Sequence, residues 1–158
     1  MPHPAPFNYA LARALALGAL LALPLAARAE PHTCALLKPA DVAPLLGKPT
    51  PGEPNGTACT WSVGGKQLTL ARLKPPGGDL SASFTEARKS AADDPEFKVS
   101  DEKGIGLRAF TVRSPVGVAL VTLQGGQLLN LMINTGKPGT PQDAAGLKQV
   151  AKRALAGL

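Results

Sequence analysis

Histidine, cysteine and aromatic residues are scarce in this sequence, which narrows the chemistry that it can support. The 158 residues include two histidines, two cysteines and one tryptophan, and aromatic residues make up 4%. Since His3 lies in the N-terminal segment, His32 is the one histidine in the rest of the chain. A nucleophilic site needs a Ser, Thr or Cys beside a base that is itself oriented. The composition therefore excludes a catalytic site built around imidazole, whereas a Ser–Lys dyad or a carboxylate pair stays open.

The motifs of metal, phosphate and nucleic-acid sites are also lacking. Five carboxylates fall within residues 93–102, but they do not have the alternating spacing of a calcium loop. The Gly104-x-Gly106 segment lacks the third glycine and the Lys-Ser/Thr pair of phosphate-binding loops. No run of Lys and Arg is interleaved with aromatic residues, as nucleic-acid binding would favour. We therefore predict no cofactor, no metal site and no nucleic-acid partner.

No apolar run is long enough for a membrane span, and the longest one has the form of a secretory signal. It follows Arg13, covers residues 14–25 and precedes Ala-Arg-Ala at 27–29, where small residues suit a signal peptidase. A span takes roughly 20 residues. A lipid anchor would need a small residue directly before a Cys close behind the run, but Thr33 precedes Cys34. We predict that residues 1–29 are a signal peptide cleaved after Ala29 and that residues 30–158 form one exported domain, periplasmic or secreted, without a transmembrane anchor.

The charge of the exported part is mildly basic. Arg13 and Arg28 leave with the signal, so 15 of the 17 Lys and Arg remain with all 11 acidic residues, a net charge of +4. This balance fits an ordinary solvated surface or attraction to an anionic lipid or polymer. The length suits a single domain with its own core.

The two cysteines predict one disulfide bond. Cys34 and Cys59 would meet in an oxidising compartment, where structural disulfides form. The bond would close a loop of about 25 residues and contribute on the order of 3 kcal/mol in the chain-entropy account. It would tie the N-terminal segment to the sheet. A metal pair or a reactive thiol would need a neighbouring His or a third Cys.

Hydrophobic periodicity predicts an α+β fold. Helices are predicted at 36–47, at 80–92 and in a C-terminal segment that Thr140 caps, with Pro141 at its first position. Residues 48–57 are predicted to be a loop. Alternating apolar residues and glycine turns predict strands at 58–63, 67–73, 97–100, 107–113, 118–124 and 127–134. We expect an antiparallel sheet of about five to six strands, covered by a short N-terminal helix, a middle helix and a C-terminal helix in an α/β/α sandwich.

Two groups of polar residues are candidate binding sites. Asn130 and Asn134 interrupt an apolar strand, so they either face a pocket or groove or mark the solvent side of the sheet. Lys148, Lys152 and Arg153 form a basic stripe on the C-terminal helix, which either meets an anionic partner or is simply solvated.

Several motifs resemble a family of exported bacterial domains of unknown function, which are often lipoproteins in actinobacteria. The Cys-Ala-Leu-Leu-Lys-Pro-Ala-Asp-Val segment at 34–42 is similar to the start of those domains, and Cys-Thr-Trp at 59–61 to a strand that follows it. Gly-Ile-Gly-Leu-Arg-Ala-Phe at 104–110 also matches the family pattern. The resemblance covers nearly all of residues 34–158 and implies a disulfide and a PsbP-like sandwich, a fold used for docking and assembly. The chain departs from the family pattern in three ways. It lacks the lipid-anchor motif, it has Lys38 where the family usually has Thr, and it has Pro44 within the predicted first helix.

These observations predict a non-catalytic domain that binds an envelope partner protein or a small ligand and is monomeric. The resemblance is at the level of the fold, which does not itself determine function. One alternative is a periplasmic hydrolase that works without histidine. The other is a structural protein associated with the envelope, which would show a large exposed apolar patch and no pocket.

Overall fold

Seven antiparallel strands form one sheet in the computed structural model, which describes residues 32–73 and 77–158. Across the sheet the order is β1-β2-β3-β7-β6-β5-β4. Paired glycines with positive φ close two of the hairpins, at 64–65 between β2 and β3 and at 125–126 between β6 and β7, as tight two-residue turns require. The strands are β1 (Glu53–Asn55), β2 (Ala58–Val63), β3 (Lys66–Leu73), β4 (Lys98–Glu102), β5 (Arg108–Ser114), β6 (Gly117–Gln124) and β7 (Gln127–Asn134).

Three α-helices and a short 3₁₀ helix complete the described residues. The 3₁₀ helix spans Thr33–Leu36, and the α-helices are α1 (Pro39–Leu46), α2 (Leu80–Asp93) and α3 (Pro141–Ala156). The Asp79 carboxylate accepts a hydrogen bond from the backbone N–H of Ala82 at 2.8 Å, and Thr140 caps α3 through Asp143 N–H at 3.1 Å. Side-chain oxygens at these positions satisfy amides that have no partner within the helix.

The helices cover the two faces of the sheet unequally. The 3₁₀ helix, α1 and α3 lie on one face, where the larger hydrophobic core includes Trp61, Leu70, Leu131 and Leu147. On the opposite face, α2 packs over β4, β6 and β7 around a smaller core that includes Phe84 and Phe110. Residues 118–123 of β6 are partly or fully buried, because the strand is covered on both faces, as its continuous apolar sequence predicts.

The fold class is confirmed, and the predicted number of strands is wrong. The seventh strand is β1, which lies within the predicted loop at 48–57 and pairs with β2. Its residues Glu53, Pro54 and Asn55 are all exposed, so they give no apolar alternation. A proline is tolerated there because β1 is an edge strand, where one row of amides needs no partner. The first helix, predicted at 36–47, begins later than expected: α1 starts at Pro39, and Leu36 is instead the last residue of the 3₁₀ helix.

The predicted disulfide is confirmed. It joins Cys34 of the 3₁₀ helix to Cys59 of β2, with Cα atoms 5.0 Å apart. The backbone of Gly52 packs closely against this bond. A side chain at position 52 would clash, because its Cβ would lie about 2.7 Å from the Trp61 ring and closer still to the Cys59 sulfur. The disulfide therefore ties the start of the domain to the sheet, beneath the loop that leads into β1.

The predicted signal segment, residues 1–29, lies outside the described residues. Within the part of the chain that the structure describes, no helix combines the length and the apolar character that crossing a membrane requires.

Candidate ligand-binding groove

An apolar groove of about 540 Å³ lies on the α2 face of the sheet. Its floor is formed by β5, β6 and β7, one wall by the C-terminal half of α2, and one end by the turn between β5 and β6. Side chains that define it include Phe97, Phe110, Val112, Val121 and Met132. The volume falls within the roughly 300–1,000 Å³ of small-molecule sites.

The space for the groove comes from small side chains on both the helix and the sheet. Ala87 and Ala91 on α2 and Ala119 on β6 line it, and all three are half-buried. Larger apolar residues at these positions would fill the space, as they do in a close-packed core. The rim instead leaves Val116 at 51% and Met132 at 41% exposure. The apolar surface of the groove is therefore accessible to a ligand, whereas larger side chains at the alanine positions would have covered it.

The groove is closed toward the N-terminal end of α2 by an aromatic pair. The rings of Phe84 and Phe110 meet edge to face with centroids 5.1 Å apart. The Arg108 guanidinium lies over the Phe84 ring, 4.4 Å from its centroid, in the arrangement of a cation–π contact. This packing fixes Phe110, whose ring also contributes to the floor of the groove.

Asn130 and Asn134, which the sequence left either in a groove or at the solvent side, both line this groove. The Asn134 Oδ1 atom accepts a hydrogen bond from the backbone N–H of Gly136 at 2.9 Å. The Asn130 Oδ1 atom is buried and has no hydrogen-bond partner among the described residues. An unpaired buried amide oxygen costs about 1–3 kcal/mol. Asn130 is therefore a polar group that the fold itself does not satisfy.

One charged side chain lines the groove within the described residues. It belongs to Glu96, an exposed residue in the turn between α2 and β4. The backbone N–H of Glu96 donates to Asp94 Oδ1 at 2.9 Å, which fixes the turn. The remaining polar side chain, Ser114, has its Oγ atom engaged with Gly117 O at 3.1 Å.

The three basic residues of the C-terminal helix do not form one free stripe. Lys148 Nζ binds Glu102 Oε2 of β4 at 2.9 Å, and Arg153 binds Asp41 of α1 at 3.1 Å. Lys152 is exposed and borders a shallow hollow of about 260 Å³ near Gly104 and Gly106. Two of the three cations thus hold α3 to neighbouring elements, on the face of the sheet opposite to the groove.

One cluster brings together a carboxylate, a lysine and a hydroxyl, the residue types of a hydrolase without histidine. Glu102 accepts hydrogen bonds from Thr111 Oγ1 and Lys148 Nζ, each at 2.9 Å. Thr111 is only 2% exposed, so a substrate does not reach its hydroxyl. A nucleophile must contact the substrate. The geometry of this cluster supports a structural role in joining β4, β5 and α3.

The other carboxylates of residues 93–102 are dispersed rather than gathered around one point. Asp101 accepts two hydrogen bonds from Arg88, at 2.6 and 2.8 Å. The hydrogen bonds and charge of Arg88 lower the pKa of the Asp101 carboxyl below its ordinary value of 3.8. Among the described residues, no group of three or more His, Cys, Asp or Glu is placed to hold a metal ion.

Most residues of the groove carry no signal that sequence reasoning could use. Ala87 and Ala91 fall on the apolar stripe of α2, and Val116 and Met132 are ordinary residues of a hairpin and a strand. The one available signal was the pair of asparagines within an apolar strand.

Comparison of the chain with protein-family models, curated proteins and solved structures finds no significant match to any of them.

Proposed function

We propose that this protein is an exported, non-catalytic domain that binds a small, largely apolar ligand in the groove beside α2. The observation that carries the proposal is the Asn130 amide, whose oxygen has no partner on the floor of an apolar groove of about 540 Å³. An apolar site with a few convergent polar groups is the usual form of a small-molecule site.

The Asn130 amide gives the groove a means of orienting its ligand. Rotation about χ2 presents either the oxygen or the nitrogen of the amide to the groove. A hydroxyl, amide or amine on the ligand would then pair with it, while an alkane portion covers Phe110, Val121 and Met132. A ligand that carries such a donor is favoured, because the free protein already bears the cost of burying the Asn130 oxygen and the ligand's donor would supply the missing hydrogen bond.

The dimensions favour a small ligand over a protein partner. A stable protein–protein interface covers roughly 800 Å² on each partner. Two exposed apolar side chains on this face, Val116 and Met132, line a concave groove rather than a broad flat patch. The resemblance to PsbP-like domains is compatible with binding, but it identifies no ligand.

Export is the second part of the proposal. The Cys34–Cys59 bond supports it, because structural disulfides persist in oxidising compartments. The mass of the protein recovered from the periplasm or medium should correspond to a chain that starts at Glu30 and lacks two hydrogens relative to the reduced form. A mass that retains residues 1–29 would contradict the cleavage at Ala29.

Binding in the groove is tested by titration with phenylnaphthylamine, a neutral apolar dye whose fluorescence rises when it leaves water. The dye should saturate the wild type and bind at least about tenfold more weakly to Ala91→Leu, which fills the groove. The matched control is Ala92→Leu, the same change at the adjacent exposed position, and it should bind like the wild type. Equal binding by both variants would show that the dye lies elsewhere, and no binding by the wild type would remove the proposal.

A further inference from the structure

From the charge of the groove we infer that its ligand is a single-chain amphiphile with a cationic head, such as an alkyl amine or alkyl ammonium compound. This inference rests on the proposed function and names the class of ligand. The alkyl chain lies on the apolar floor formed by Phe110, Val121 and Met132, and the head group lies at the mouth beside Glu96.

The charge in the lining of the groove is negative. The Glu96 carboxylate is its one charge among the described residues, and the Asn130 Oδ1 atom lacks a donor. Two basic side chains near α2 are engaged with partners: Arg88 binds Asp101 and Arg108 lies over Phe84. Lys89 of α2 and Lys98 of β4 are exposed and do not line the groove. Within the described lining, an anionic head group would therefore meet a carboxylate and no cation, and a cationic one would gain an ion pair.

The net charge of the whole protein acts in the opposite direction. The exported residues 30–158 carry +4, so their long-range field attracts anions and repels cations. A preference for a cationic head must then come from a nearby group, because long-range effects are screened by salt within about 10 Å at 0.1 M. Glu96 is the group within the described lining of the groove that can provide it, so the preference should depend on this residue alone.

The test compares three ligands that share a decyl chain, each used below its critical micelle concentration. Calorimetric titration gives the Kd of decyltrimethylammonium, decyl sulfate and the neutral decyl glucoside. In the wild type the ammonium compound should bind more tightly than the sulfate. The ratio of the Kd of decyl sulfate to the Kd of decyltrimethylammonium measures this preference. In Glu96→Gln this ratio should fall by about two- to fivefold, the range of an exposed ion pair. Glu86→Gln, which removes an exposed carboxylate from the outer side of α2, should leave the ratio unchanged.

Decyl glucoside separates the two proposals. If the wild type and Glu96→Gln bind it equally, the groove is intact and the ratio reports on charge alone. A wild-type ratio that favours decyl sulfate, or a ratio that Glu96→Gln does not alter, would overturn the cationic ligand while leaving the groove as a binding site. Failure of all three compounds to bind the wild type would overturn both proposals.

Discussion

Lys148 Nζ lies 2.9 Å from Glu102 Oε2 and joins α3 to the edge strand β4. The Glu102 side chain is 13% exposed and also accepts the Thr111 hydroxyl. An ion pair that is partly shielded from water is worth more than a fully exposed one, because fewer water molecules compete for its charges. Lys148, one of the three residues of the predicted basic stripe, therefore has a structural role.

Replacement of Lys148 by Met should lower the free energy of unfolding by about 1–2 kcal/mol, since it leaves the mostly buried Glu102 carboxylate without its cation. Chemical denaturation monitored by circular dichroism measures the change. Lys152→Met is the control, because Lys152 is exposed on the same helix, and it should stay within about 0.5 kcal/mol of the wild type. Equal stability of the two variants would mean that the pair contributes nothing in solution.

Replacement of Asn130 by Leu should raise stability by about 1 kcal/mol, because it removes an amide oxygen that is buried without a partner. Asn134→Leu should have the opposite effect, since the Asn134 Oδ1 atom accepts a hydrogen bond from Gly136 N–H. Thermal unfolding of the two variants measures both signs. A residue whose removal stabilises the fold is typical of a functional site. A loss of stability in Asn130→Leu would argue that the fold does satisfy this amide.

Replacement of Cys34 by Ser should cost about 2–4 kcal/mol, the usual contribution of a native disulfide. Cys34 is half-buried, so the substitution itself adds little strain and the loss reports on the cross-link. The measurement is the denaturation midpoint of the oxidised wild type and the variant. The reduced wild type is the control and should resemble the variant; if reduction has no effect on the wild type, the bond does not form in the folded protein.

The ion pair of Arg88 and Asp101 predicts a pH effect with a defined sign. Arg88 lowers the pKa of Asp101 below 3.8 in the folded protein, so this carboxyl stabilises the fold above its ordinary pKa. The contribution is lost as the pH falls through the lower, folded value. Arg88→Gln should raise the Asp101 pKa toward 3.8, as measured by NMR titration of the side-chain carboxyl carbon. Lys89→Gln, an exposed neighbour on α2, should leave it unchanged, and a wild-type pKa at or above 3.8 would refute the pairing.

Local sequence was sufficient for elements whose signals lie within a few residues. Thr140 and Pro141 marked the start of α3, and the paired glycines at 125–126 marked a hairpin, because caps and tight turns depend on backbone groups close in the chain. The alternation of Cys59, Trp61 and Val63 predicted a strand with one buried side. With only two cysteines, one pairing was possible. By contrast, β1 was missed because an edge strand with Pro54 needs no apolar alternation.

The α+β class, the disulfide and most of the element boundaries thus follow from periodicity, turn chemistry and composition. The positions of the helices on the sheet depend instead on contacts between distant segments of the chain. Packing brings Ala91 of α2 and Ala119 of β6 into the lining of one groove, and it joins Lys148 to Glu102 across 46 residues. A cavity is the space between side chains from distant segments, so its existence depends on packing that no local pattern encodes.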